Sequence, residues 1–169
     1  MPIDYEVTID LNGHVLKMAN GASGSVIVVR DKGRLTVIDS NPTAEHKFKV
    51  NGVGLWVLDD SGTETVYGGV ITGGKAERGG GVYVDGGGKL TMTGGNIVGC
   101  TATGYIASGG GVYVAKNGTF EMSGGSITGC TAAKGSSVYL NGGKMNADGG
   151  TVGGTVALEV KHSGDKGII

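Results

Sequence analysis

The sequence predicts an all-β solenoid, a parallel β-helix of about five to six coils with three short strands in each. Three observations predict it. First, the stretch from Gly79 to Ala102, which opens GGGVYV and closes TGGNIVGCTA, returns from Gly109 to Ala132 as GGGVYV to SGGSITGCTA, so that Tyr83 and Cys100 recur as Tyr113 and Cys130. Every offset is thirty residues, and a fixed period of this length marks stacked supersecondary units. Second, glycine supplies 37 of 169 residues, without the every-third-position pattern of collagen and with only 2 prolines. Between the glycines, Val, Ile, Leu and Tyr alternate with polar residues, which speaks against disorder and for short strands joined by tight turns. Third, each unit is too short for a propeller blade, which needs four antiparallel strands over about 40 residues, and it carries no leucine ladder.

The elements follow in order. VTIDLNGHVLKM, from Val7 to Met18, alternates on both sides of Asn12-Gly13 and reads as two strands meeting at the corner of a coil. From Ser25 to Asp39, VIVV, RDKG and RLTVID give strand, turn and strand. Residues 40–53 hold Pro42 and the charged group AEHKFK and are expected to protrude as a loop. Gly54 to Gly74, as GLWVL, DDSG, ETVYGG and VITGG, is expected to form a further coil, with Gly68-Gly69-Val70-Ile71 standing where Gly94-Gly95-Asn96-Ile97 stands later. The two long repeats come next. The last coil begins at Gly135, with Val138-Tyr139-Leu140 in the VYV position and Gly149-Gly150-Thr151-Val152 closing it. One strand, Val156 to Val160, and no amphipathic helix follow. With neighbouring strands ~4.8 Å apart, the coils make a rod roughly 25–30 Å long.

Alternation assigns the faces. In GVYV both valines point inward if the tyrosine points outward. The inward columns are then Leu55/Val57, Val82/Val84, Val112/Val114 and Val138/Leu140; Leu35/Val37, Leu90/Met92, Phe120/Met122 and Met145/Ala147; and Ile71, Ile97, Ile127 and Val152. An aspartate at Val112 would put an unpaired charge into such a column and is expected to be severely destabilising.

Several function classes are disfavoured. Net charge is −1 and the isoelectric point about 6.3, with no basic stripe for nucleic acid. No apolar run reaches membrane-spanning length, so no membrane insertion is expected. MPIDYEV lacks the parts of a signal peptide. GGG at Gly79 and Gly109 lacks the GK[ST] ending of a phosphate loop. The histidines His14, His46 and His162 are scattered and suggest no catalytic triad. No Cys/His spacing suits zinc, and no metal or cofactor is expected.

VTIDLNGH, repeated GGGVYV, LTMTGG and SITGCTA resemble the glycine-rich right-handed β-helix repeats of large bacterial cell-surface, adhesin-like proteins, a fold of the pectin-lyase-like group. The resemblance covers most of residues 5–156. It implies a right-handed helix, an extracellular or cell-surface location, and a stalk or ligand-presenting role. It also implies a single β-helix domain over 1–169, excised from a larger surface protein. The missing end caps agree with that, and uncovered strand edges predict end-to-end or lateral self-association.

The chief functional candidate is an outward column of one aromatic per coil: Trp56, Tyr83, Tyr113 and Tyr139. Tyrosine and tryptophan combine an apolar face with a polar tip. Such a strip suits the CH faces of sugars or a host or matrix protein surface; the plainer reading is that in-register aromatics only brace adjacent strands or lie under loops. Asp59, Asp60 and Asp85 follow the Trp56 and Tyr83 strands. They are candidate ligand-binding groups, or a carboxylate pair for glycoside hydrolysis, or calcium ligands, against the plainer reading of turn aspartates. Glu121 is a further carboxylate. Cys100 and Cys130 are placed within disulfide range, with stacked free thiols preferred. Thr91-Met92-Thr93 has the form of an ice-binding rung, but the next coils break it with Glu121 and Asn146. The expected function is a non-catalytic surface module, adhesin-like or a stalk, binding polysaccharide or a host or matrix protein. The alternative is a polysaccharide lyase or glycoside hydrolase.

Overall fold

A computed structural model describes residues 1–159; Val160, the expected end of the final strand, and His162 lie outside the described residues. The chain winds through about five turns of a parallel β-solenoid. The first turn holds β1 (Pro2–Ile3), β2 (Glu6–Asp10) and β3 (Val15–Lys17). The second holds β4 (Ile27–Val29) and β5 (Arg34–Ile38), then an excursion of β6 (Glu45–Val50), β7 (Trp56–Leu58) and β8 (Glu64–Tyr67), and resumes with β9 (Val70–Thr72) and β10 (Lys75–Ala76). The third holds β11 (Val82–Val84), β12 (Lys89–Met92), β13 (Asn96–Val98) and β14 (Thr101–Ala102). The fourth holds β15 (Val112–Val114), β16 (Thr119–Met122) and β17 (Ser126–Thr128). The fifth holds β18 (Val138–Leu140), β19 (Lys144–Ala147) and β20 (Thr151–Val152), and β21 (Val156–Leu158) opens another.

Three parallel walls result: β1-β4-β11-β15-β18-β21, β2-β5-β12-β16-β19 and β3-β9-β13-β17-β20. The strands at Asn12-Gly13 enter different walls, as a coil corner requires. Registers follow the repeat, with Val82 beside Val112 and Val138, and Leu90 beside Leu35 and Phe120. Like side chains therefore stack at strand spacing, about 4.8 Å apart. The interior columns Val82/Val84, Val112/Val114, Leu35/Val37, Leu90/Met92, Phe120/Met122, Ile71, Ile97 and Ile127 are buried as expected. Met145, Leu140 and Val152 pack against that core, while Ala147 is exposed.

Gly54–Gly74 is not a coil, and here the sequence expectation is corrected. The excursion is a meandering antiparallel sheet of three strands in the order β7-β6-β8, with β6 at its centre, paired with both of the others. Only Val70-Ile71-Thr72 enters the third wall. Leu55 and Val57 are not interior; the first-wall neighbour of β11 is β4, so Ile27 and Val29 hold the places assigned to them.

The meander lies on the outside of the third wall. Phe48, wholly buried, meets Val66, Val70 and Val98, with Val15, Trp56 and Leu58 partly buried around it. Outward-facing wall residues thus become a second small core. Asp39 ties the root of the excursion, accepting the backbone N–H of Gly13 at 2.7 Å and of Gly69 at 2.7 Å. Asn96 donates to the carbonyl oxygens of Tyr67 and Gly69 and accepts from Ser126 Oγ. His46 Nε2 donates to the Gly13 carbonyl at 2.9 Å.

Candidate functional site

The predicted aromatic column divides in two. Tyr83, Tyr113 and Tyr139 are in register on β11, β15 and β18. Their rings stack, with centroids 5.2 Å apart and planes within 5° for the first pair, and 5.6 Å and 22° for the second. A stack of this kind turns ring faces toward one another and edges toward solvent. Tyr113 is 2% exposed and Tyr139 6% exposed. The Arg78 guanidinium lies over the Tyr113 ring, 5.6 Å from its centroid, and Asn141 Nδ2 donates to the Tyr113 hydroxyl at 2.6 Å. The three tyrosines are therefore not an open strip of faces for sugar rings. They brace three coils, which is the plainer of the sequence readings. Burial, then Asp85, pushes the Tyr83 phenol up; burial, then Glu159, does the same at Tyr139. Both remain protonated donors near neutrality.

Trp56 belongs to the meander, and the first-wall partner of Tyr83 on its other side is Val28. A column of glycines seats it. Gly73, Gly99 and Gly129 follow β9, β13 and β17 and share positive φ, +76°, +62° and +60°. The Trp56 carbonyl lies against Gly99, and the indole rests on Gly129, where a Cβ would overlap its Cγ and Cδ1. Trp56 N–H donates to the Gly129 carbonyl at 2.9 Å. The Gly-Cys dipeptides of the repeat thus provide the bed on which the meander lies.

The candidate acids are not gathered into one site. Asp59 caps the turn between β7 and β8, accepting from Ser61 Oγ and Ser61 N–H, and pairs with Lys49 at 3.1 Å. The Ser61 hydroxyl, its backbone N–H and then Lys49 hold its carboxyl down at about 2. Asp60 is the exposed neighbour in that turn. Asp85 ends β11 at the corner between the first and second walls, with Oδ1 accepting Gly86 N–H. Glu121 pairs with Lys89 at 2.8 Å on the second wall. Asp59 thus lies in the excursion outside the third wall, and Asp85 lies at the corner between the first and second walls. Cys100 and Cys130 are buried free thiols. Each donates weakly to backbone carbonyls, Cys130 Sγ to Thr128 at 3.4 Å and Cys100 Sγ to Val98 at 3.7 Å. The hydrogen bond with Cys130 and burial push the Cys100 thiol up, while the same hydrogen bond draws Cys130 down; both side chains are buried in the coil interior, where a thiol packs as a small apolar group.

A groove beside the tyrosine stack was missed from the sequence. Arg78, Ser108 and Lys134 pair in register on successive turns, so the backbones of the two cationic residues stand about 9.6 Å apart, twice the strand spacing. The repeat segment Thr131–Lys134, TAAK, has the longer counterpart TATGYIAS, Thr101–Ser108, in the turn before. The four additional residues place Tyr105, 100% exposed, on the surface. Arg78, Lys134, Tyr105, Ser108, Tyr139 and Glu159 border a groove of about 330 Å³. Aligning those two segments reveals the insertion, which is the signal that would have found it. The groove offers aromatic surface, donors of positive charge, a hydroxyl and a carboxylate. The Ser108 hydroxyl donates to the Ile106 carbonyl at 2.6 Å.

The chain matches no family model, no curated protein and no solved structure at a significant level.

Proposed function

We propose that the chain is a non-catalytic β-helix module of an exported bacterial cell-surface protein, adhesin-like and of the pectin-lyase-like group, that binds glycan in the groove bordered by Tyr105 and Tyr139. The observation that carries this reading is Tyr105 itself. A solenoid repeat tolerates insertions on the face that carries function, and this insertion sets a fully exposed aromatic beside two cations and a carboxylate. An aromatic face with converging polar groups is the usual makeup of a ligand site. The buried tyrosine stack supports the same reading by fixing Tyr139, and through the cation–π contact Arg78, in rigid positions.

A glycan array probed with the purified protein and with Tyr105→Ala tests it, together with a reducing-end assay on each glycan bound. The expected result is selective binding by the parent chain, loss of at least tenfold in the variant, and no new reducing ends. A blank array, or turnover of a bound glycan, overturns the proposal.

A further inference from the structure

A second cavity lies on another wall, where the meander meets the coils. Strand β7 bridges the glycine column and leaves a cleft of about 230 Å³ behind it. Trp56, Leu58, Thr72 and Thr101 line it, together with Lys17 and Lys75. A second hollow of about 370 Å³, formed by the loop at 18–23, shares Lys17, Gly73 and Lys75 with it. The two spaces are therefore neighbours, with Lys17 and Lys75 bordering both.

The cleft combines two chemistries. Trp56 and Leu58 of β7 and the glycines Gly73, Gly74 and Gly99 give it apolar surface. Lys17 and Lys75, both exposed, add two cations to its lining. Among the described residues, no carboxylate lines either space, and neither lysine forms an ion pair. The Lys17 stem lies along Gly73, whose missing side chain leaves room for it, so its charged end stays at the rim.

We infer that this cleft binds an apolar monocarboxylate, with the hydrocarbon part against Trp56 and Leu58 and the carboxylate between Lys17 and Lys75. Charge complementarity selects the ligand: an uncharged hydrocarbon leaves the two cations unused, and a polyanion has no use for the apolar surface. The hydrocarbon supplies burial and the carboxylate supplies charge-assisted hydrogen bonds. The site is independent of the glycan groove, since the two share no residue.

The probe is octanoate, with octanol as its uncharged counterpart. Trp56 is the only tryptophan, so its indole N–H gives one unambiguous nuclear magnetic resonance signal. Titration with octanoate is expected to shift that signal saturably. Octanol is expected to bind at least tenfold more weakly. The exposed double variant Lys17→Gln, Lys75→Gln is expected to lose roughly tenfold in octanoate affinity, with its unligated indole signal unmoved. High salt is expected to weaken octanoate binding. No saturable shift with octanoate, equal affinity for octanol, or an unchanged affinity in the double variant overturns the inference.

Discussion

Gly129→Ala isolates the contact that holds the meander on the solenoid. At φ +60° any Cβ-bearing residue costs about 1–2 kcal/mol. The added methyl also overlaps the Trp56 side chain; either the ring is forced aside or β7 lifts and gives up its bond to the Gly129 carbonyl. That contributes about 2 kcal/mol more, the scale of overpacking or of one lost buried hydrogen bond with some packing. Gly21 provides the comparison, since its φ is +78° and nothing lies within 4 Å of the position a Cβ would take. Urea denaturation followed by circular dichroism should therefore show Gly129→Ala destabilised by about 3 kcal/mol and Gly21→Ala by about 1 kcal/mol. In a Trp56→Gly background the cost of Gly129→Ala should fall to about 1 kcal/mol, a coupling of about 2 kcal/mol. Equal costs at Gly129 and Gly21, or an additive cycle with Trp56→Gly, would refute the reasoning.

Three further outcomes follow from the same geometry. Val112→Asp places a carboxylate between Val82 and Val138 in a wholly buried column; it should cost about 4 kcal/mol or more and abolish a cooperative thermal transition by circular dichroism. Tyr113→Phe removes the acceptor of the Asn141 amide and should lower stability by about 1 kcal/mol in urea titrations, with Asn141→Ala adding little on top of it. The folded-state pKa of Asp59 lies below the ordinary 3.8, at about 2. Its stabilising effect on the β7–β8 turn is thus complete above about pH 4 and disappears as pH falls through about 2; the Ser61 amide resonance should report that transition, and Asp59→Asn should abolish it.

The solenoid was legible because each strand repeats its side-chain pattern at a constant offset. Val82, Val112 and Val138 follow from period-two alternation, and their stacking follows from the thirty-residue register. The meander was not legible for the same reason. GLWVL and ETVYGG alternate as coil strands do, and alternation identifies a face without naming the partner strand. Length carried the missing information. Val26–Val29 and Arg34–Asp39 already fill two strand positions of the second turn, so that only Val70–Thr72 is needed to complete it, and Gly54–Gly74 is shorter than either long repeat. Misplacing that segment put Trp56 into the tyrosine column. The tyrosine stack itself was foreseeable from Tyr83, Tyr113 and Tyr139, but the contacts of Arg78 and Asn141 with Tyr113 come from residues outside the VYV pattern. Lys17, Lys75 and the β7 cleft depend on tertiary packing between the second turn and its neighbours, and no local pattern announces that.

Mapping a bound glycan onto the chain tests the central claim most directly. Amide resonances of the 169-residue protein would be followed while the tightest glycan from the array is added. The account predicts shifts centred on Tyr105, Ser108, Lys134 and Tyr139, lost in Tyr105→Ala, with the glycan recovered at its original length. Shifts centred on another wall, or recovery of a shortened glycan, would contradict it.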